Sequence, residues 1–301
     1  MNNDSSKLEE SDKMENKEAP ELLLCLFLDG FGISANNETN AVTAAKMPNL
    51  FNYIRDYPVT LLSGKTKDAR RRYWSLGCGL EDSSDSFLQA ETCLSAVLSQ
   101  FGIKQAKIVA SEQLAGLNLF FNNAKDSLYP GEVIDCLSSP SFDEALRPLG
   151  KNILRSIEDS LHQKLTTEVI FASLPLAHEA SLRGDFKETV NNLEQIDKLL
   201  PKIISAVLSK NGRIIITSPY GNAERTKDLA TDWADKSPTG NHVPFLLIGS
   251  EYRGKTIGLA DPLDGDLSVL APAGTLADFA PTVLALLNLD KPVGMMGKSL
   301  I

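Results

Sequence analysis

The 301-residue chain is poor in the side chains that most often hold transition metals. It has three histidines and four cysteines, and no two cysteines stand at the CxxC spacing of a zinc or redox site. Cys25 and Cys93 fall in apolar stretches, which favours buried thiols over metal ligands. The cysteines therefore give no evidence for a metal centre.

Basic charge and long apolar runs are also scarce. The net charge of −9 argues against a polyanion-binding surface, so we expect no nucleic-acid partner. No apolar run is long enough to span a bilayer, and residues 1–20 lack the apolar core of a signal peptide. We therefore expect no membrane association and a cytoplasmic location. The polar residues 1–20 are predicted to be a disordered leader, and residues 21–301 to form one domain.

Apolar runs alternate with amphipathic stretches along the rest of the chain. Residues 22–28 are continuously apolar, as in a parallel strand that is covered on both faces. The pattern predicts an α/β fold in which a mostly parallel sheet carries helices on both faces. The other predicted strands are 107–110, 117–121, 168–172, 212–216 and 242–249, and the predicted helices are 47–56, 87–100, 153–165, 186–208 and 276–289.

Several short motifs follow one another in a fixed order. They include Leu-Phe-Leu-Asp-Gly-Phe-Gly at 26–32, Thr-Ser-Pro-Tyr-Gly-Asn-Ala-Glu at 217–224 and Leu-Ala-Asp-Phe-Ala-Pro-Thr at 276–282. Together they resemble the cofactor-independent phosphoglycerate mutases, members of the alkaline phosphatase superfamily, over nearly the whole chain beyond the first twenty residues. The resemblance implies an alkaline-phosphatase-like α/β fold.

The resemblance also implies a deletion. The mutases carry an inserted phosphotransferase domain with the arginines that hold phosphoglycerate. In this chain only residues 80–86 separate Gly79 from the next predicted helix, and seven residues cannot form a domain. We expect the insert, and with it the substrate clamp, to be missing near 80–86.

Most metal-binding positions that the resemblance implies have been replaced. The aspartate after the first strand remains as Asp29, but the Asp-His pair of the later strand has become Pro219 and Tyr220. Proline has no side-chain donor atom, and a neutral tyrosine is a poor ligand for Mn²⁺ or Zn²⁺. A further ligand histidine maps near Pro238, and a phosphate-facing lysine has become Gln113.

A second ligand pair of the family, Asp-x-x-x-His, falls within residues 171–180. Depending on where a gap is placed, its aspartate becomes Pro175 or Leu176 and its histidine becomes Glu179 or Ala180. Neither placement restores the pair.

The nucleophilic serine of the family aligns with Ala69. An alanine methyl group cannot be phosphorylated, which excludes covalent phosphoryl transfer from this position. Thr66 and Ser75 are nearby hydroxyls, but neither has a family-like context. We therefore predict no catalytic residue and no catalytic metal.

We call the space at these former metal positions the relic cleft. Two other groups of residues are candidates for a site there. His178 and His242 lie near the predicted strand ends, and with Asp29, Glu179 and Asp235 they would form a rebuilt single-metal site for Mn²⁺ or Zn²⁺. Two ordinary polar residues near a cleft are the simpler interpretation.

The run Arg70-Arg71-Arg72 is usually a solvated charge patch, but here it follows the former nucleophile position. A guanidinium in the old metal locus would compensate the charge of Asp29 or bind an anion in the cleft. We expect an ion pair between Asp29 and Arg70 or Arg71.

These observations favour a catalytically inactive homologue of the mutases that acts as a scaffold or regulatory binding protein, with another protein as its partner. One alternative is a sensor of a small phosphorylated metabolite in the relic cleft. The other is a metal-dependent phosphatase or phosphomutase with a rebuilt site.

Overall fold

A computed structural model describes residues 22–35, 37–138, 146–162, 168–228, 231, 233–258 and 266–301. The leader predicted at 1–20 lies outside these residues. The strands are β1 (Leu23–Leu28), β2 (Val59–Ser63), β3 (Gln105–Ala110), β4 (Glu132–Leu137), β5 (Val169–Leu174), β6 (Arg213–Thr217), β7 (Val243–Ile248) and β8 (Gly274–Thr275). The helices are α1 (Ala41–Ala44), α2 (Pro48–Asp56), α3 (Ala69–Cys78), α4 (Leu94–Gln100), α5 (Leu146–His162), α6 (Leu176–Leu182), α7 (Phe186–Leu208) and α8 (Phe279–Leu286).

The strands form one sheet in the order β4-β3-β5-β1-β6-β7-β2-β8. All neighbouring strands are parallel except at β7, which runs antiparallel to both β6 and β2. The predicted α/β fold with a mostly parallel sheet is therefore confirmed. No helix among the described residues is both long enough and apolar enough to cross a bilayer.

β1 lies in the middle of the sheet and is buried along its whole length. The ring of Phe27 packs against those of Phe121 and Phe279, with centroids 6.4 and 5.6 Å apart. Both faces of the strand are covered, which explains the absence of polar alternation in its sequence. The central strand therefore delivers residue 29 to a point shielded from solvent.

Several predicted elements are wrong in type or extent. The predicted helix 153–165 is α5, which begins seven residues earlier at Leu146, and the predicted helix 276–289 is α-helical only over α8. The predicted strand 117–121 is a π-helical turn at Ala115–Phe120. Its buried residues Leu117 and Phe121 are four apart, a helical spacing that the short apolar run concealed. The predicted helix 87–100 begins only at Leu94; Leu88 has a φ of +62°, a left-handed conformation that a right-handed helix does not contain.

A charged pair lies fully inside the protein between β3 and β4. The ammonium of Lys107 is 2.6 Å from a carboxylate oxygen of Glu132 and donates to the side-chain oxygen of Asn122 at 2.7 Å. The amide of Asn122 donates in turn to Glu132 at 3.1 Å. Both charges thus have a partner and a hydrogen bond, which a buried ion pair requires.

We predict that Lys107→Met destabilises the fold strongly, because it leaves the Glu132 carboxylate buried without a cation. Loss of one partner of such a pair typically costs about 3–5 kcal/mol in the free energy of unfolding, measurable by urea titration. The exposed pair of Lys65 and Glu81 provides the control, and Lys65→Met should cost less than about 1 kcal/mol. Equal losses in the two variants would contradict the buried-pair argument.

Candidate functional site

The carboxyl ends of β1, β5 and β6 meet at one edge of the sheet, the place where open α/β sheets bind ligands. Asp29 follows β1 directly and Gly30 turns the chain with a φ of +83°. A side chain at Gly30 would also crowd the backbone of His178 on α6. Only glycine therefore suits this turn, which holds Asp29 in place.

The carboxyl of Asp29 is buried and is held by neutral donors. Its Oδ2 accepts hydrogen bonds from the hydroxyls of Ser173 at 2.8 Å and Tyr73 at 3.0 Å. Its Oδ1 has no hydrogen-bond partner among the described residues. Burial raises the pKa of Asp29 to about 7; the two hydrogen bonds oppose this rise and the charge of Glu179 adds to it.

The ion pair expected between Asp29 and Arg70 or Arg71 is wrong. Arg70 is exposed and pairs with Asp68, with an N–O distance of 2.7 Å. Arg71 donates to the carbonyl of Ser84 at 2.9 Å and lies over a phenylalanine ring. The rotation of α3 turns both side chains away from the interior and turns the next two residues towards it.

The first of these two residues, Arg72, is fully buried. Its guanidinium donates to three main-chain carbonyls, those of Pro219 at 2.7 Å, Thr66 at 3.1 Å and Asn241 at 3.2 Å. Burial lowers the pKa of Arg72 to about 10, so the side chain remains a cation at neutral pH. The positive charge near the relic cleft therefore belongs to the protein itself.

The second residue, Tyr73, belongs to a group of three rings. Tyr220 is buried and meets the rings of Tyr73 and His178 edge-to-face, with centroids 6.0 and 5.0 Å apart. We call Tyr73, His178 and Tyr220 the aromatic cluster. Burial raises the pKa of both tyrosines and lowers that of His178 to about 4, so all three side chains are neutral at pH 7.

The remaining predicted cleft residues do not form a ligand set. The amide of Gln113 donates to Glu179 at 3.1 Å, and burial raises the pKa of this glutamate. Asp235 pairs with Arg225 at 2.5 Å, and the carbonyl of His242 accepts the N–H of residue 33. In the part of the chain that the structure describes, no three His, Cys, Asp or Glu side chains are grouped to hold a metal ion.

The nucleophile position lies at the first residue of α3. Ala69 follows Asp68, whose carboxylate caps the helix by accepting the N–H of Arg70. Of the alternative hydroxyls, Ser75 is buried and donates to the carbonyl of Leu80 at 2.6 Å. Thr66 accepts the N–H of Asp68. Each hydroxyl is thus part of the local structure of α3.

The residues present do not fit a two-metal centre. Such a centre needs several anionic or imidazole ligands to hold two dications close together. Here Asp29 already accepts two hydroxyl donors, and the former ligand positions hold Pro219 and Tyr220. A buried tyrosine ring stands at one of these two positions, and the Arg72 guanidinium donates to the main-chain carbonyl of the other.

Sequence reasoning missed the three side chains that organise this site, Arg72, Tyr73 and Ser173. The helical period that places Leu76 in the core also places Arg72, four residues earlier, on the inner face of α3. That signal was available in the sequence. The position of Ser173 next to Asp29 depends on the register of the parallel strands β1 and β5. The sequence alone does not give this register.

Comparison with known families supports the motif analysis. The Metalloenzyme superfamily profile matches residues 22–291. The 2,3-bisphosphoglycerate-independent phosphoglycerate mutase of Pyropia yezoensis is 32% identical over 217 residues, which cover 69% of this chain and 38% of the relative. The resemblance is therefore confirmed, and the chain spans about 38% of the length of the curated relatives it matches.

Solved structures show the same fold. A structure of Leishmania mexicana phosphoglycerate mutase at low cobalt concentration has a TM-score of 0.57 and 21% identity, over 68% of this chain and 38% of that one. Alkaline phosphatase from the Antarctic bacterium TAB5 has a TM-score of 0.60 and 10% identity, over 91% of this chain and 99% of that one. The fold is alkaline-phosphatase-like.

We predict that Asp29→Asn changes how stability depends on pH. Between an unfolded-state pKa of about 4 and the folded-state value of about 7, the folded wild type keeps a proton that the unfolded chain has released. The wild type therefore loses stability as the pH rises through this range, and the variant does not. The free energy of unfolding of the variant relative to wild type should rise by on the order of 4 kcal/mol across this range.

Urea titrations well below and well above this pH range measure the difference. Asp290→Asn, which removes an exposed carboxylate, is the matched control and should show no comparable rise. A difference between Asp29→Asn and wild type that stays constant with pH would show that the pKa of Asp29 is the same in the folded and unfolded states.

Proposed function

We propose that this chain, which belongs to the metalloenzyme superfamily, is a catalytically inactive relative of the phosphoglycerate mutases that acts by binding another protein. One observation carries the proposal. The one retained aspartate, Asp29, is buried and held by the hydroxyls of Ser173 and Tyr73, and the former Asp-His ligand pair is Pro219 and Tyr220, whose ring packs in the aromatic cluster. The proposed role is that of a scaffold or regulatory subunit.

The chemistry of phosphoryl transfer supports this proposal. The attacking group must be a hydroxyl activated by a base or a metal, and the developing charge must be met by cations aimed at the phosphoryl oxygens. Ala69 has no hydroxyl, and the donors of the Arg72 guanidinium are directed at protein carbonyls. Neither requirement is met by the residues at these positions.

The intact fold supports a role in binding. The eight-stranded sheet and its buried central strand are present in the described part of the chain, although most of the family's ligands and its nucleophile are replaced. When a protein retains the fold of its family but not the catalytic residues, the simplest explanation is that its surface binds a partner. The phosphorylated-metabolite sensor and the rebuilt phosphatase are the competing functions, and the two experiments below separate them from an inactive protein.

The first experiment measures metal content. We predict that protein treated with EDTA and then dialysed against Mn²⁺ or Zn²⁺ retains far less than one equivalent, because Pro219 and Tyr220 replace two ligands and Asp29 is engaged by hydroxyls. Elemental analysis of wild type and Asp29→Ala makes the comparison. Stoichiometric metal that disappears in Asp29→Ala would support a rebuilt metal site instead.

The second experiment measures turnover. We predict that neither phosphoglycerate mutase nor general phosphatase activity exceeds background with Mg²⁺, Mn²⁺ or Zn²⁺, and that Ala69→Ser does not restore it. A serine hydroxyl without a neighbouring base or metal is a weak nucleophile. Activity that copurifies with the protein and is lost in Asp29→Asn would overturn the proposal. Saturable binding of a phosphorylated metabolite without turnover would favour the sensor.

A further inference from the structure

We infer that Arg72 is a built-in cation that fastens three loops at the carboxyl edge of the sheet, so that their arrangement needs no bound metal ion. The loops are residues 64–68, 218–221 and 239–242. We call them the three edge loops. The inference goes beyond the proposed function, since it concerns how this edge keeps its shape whether or not a partner binds there.

Each edge loop gives one main-chain carbonyl to the guanidinium. Nη1 of Arg72 donates to Thr66, between β2 and α3, and Nε donates to Pro219, just after β6. Nη2 donates to Asn241, just before β7. Segments far apart in sequence thus converge on one side chain. Buried carbonyls need a donor, and no helix or strand supplies one in these loops.

Two carboxylates, those of Asp82 and Glu224, bind other groups of the same edge loops. Asp82 accepts the main-chain N–H groups of Lys65 and Thr66, at 3.0 and 3.1 Å to one of its oxygens. Thr66 is therefore held at its carbonyl by Arg72 and at its N–H by Asp82. The two peptide units on either side of the Thr66 Cα are therefore both held, which leaves the loop little freedom.

The third edge loop is held in the same way. Glu224 is buried and accepts hydrogen bonds from the hydroxyl of Thr239 and, at 2.9 Å, from the side-chain amide of Asn241. Asn241 is thus bound through its carbonyl to Arg72 and through its side chain to Glu224. The charges of Asp82 and Glu224 also favour the protonated guanidinium, against the effect of burial.

The shape of the guanidinium matters as well as its charge. Its donors lie in one plane at fixed angles, so Nε, Nη1 and Nη2 can serve three acceptors in different directions at once. A lysine ammonium is a compact point charge on a flexible chain and cannot reproduce this fork. Arg72→Lys therefore separates the role of geometry from that of charge.

Hydrogen exchange on the full-length protein tests the inference. The reporters are the main-chain amides of Thr66, Asn222 and Thr239, which are hydrogen-bonded in or beside the edge loops. In Arg72→Lys and Arg72→Met we expect their protection to fall by at least about tenfold, since a lost buried hydrogen bond typically changes an opening equilibrium by that factor. Arg70→Met, which removes an exposed guanidinium from the same helix, should leave all three unchanged.

Hydrogen exchange in the presence of EDTA is a second test of the inference. Treating the wild type with EDTA should not change the exchange of these amides, because the cation is part of the chain. Loss of protection in EDTA would overturn the inference, as would protection in Arg72→Lys equal to that in Arg70→Met. Neither result bears on turnover, so failure here is distinguishable from failure of the proposed function.

Chemical rescue gives an independent readout. Arg72→Ala leaves a space of guanidinium shape beside three carbonyls, so low-millimolar guanidinium should raise the melting temperature of this variant while the same concentration of ammonium should not. The wild type should respond to neither. Equal responses to both cations would overturn the inference. Should Arg72→Ala fail to fold, the exchange data on Arg72→Lys decide the question.

Discussion

Parallel strands bring their carboxyl ends to the same edge of a sheet, and the loops that follow them must share one small volume. Here the loops after β1, β5 and β6 converge where almost no water reaches. Every polar group in that volume needs a protein partner, because an unpaired buried donor or acceptor is costly. This constraint explains why Asp29 takes two hydroxyl donors and why the carbonyls around Arg72 point at its guanidinium.

Asp29 and Arg72 are both buried ionisable groups, and the protein stabilises them in different ways. At Asp29 the carboxyl is held by neutral hydroxyls and its pKa rises, so the charge itself is suppressed near neutral pH. At Arg72 the charge persists and is surrounded by carbonyl dipoles and two carboxylates. The aromatic cluster lies beside Asp29 and excludes water from its carboxyl group. Asp29, Arg72 and the aromatic cluster therefore lie in packed protein interior.

The sequence allowed the main elements and the location of the site to be predicted, but not its contacts. The residues predicted for α7 are those observed, and β1 differs by one residue, because a long 3.6-residue period and an unbroken apolar run each allow a single interpretation. Choosing the inward-facing residue among three consecutive arginines required the rotation of α3, a helix that was not among those predicted. Tyr73 and Ser173 reach Asp29 only through tertiary packing.

The partners of the Arg72 guanidinium are all main-chain oxygens, and this has a consequence for how the sequence can vary. Every residue type carries the same carbonyl, including Pro219, which has no other polar atom to offer. Substitutions at the residues that supply these oxygens therefore leave the contacts available, whereas a substitution at Arg72 removes all of them together. Among homologues with this architecture, a single invariant arginine should accompany side-chain variation at the position of Pro219, which gives the guanidinium only its main-chain oxygen.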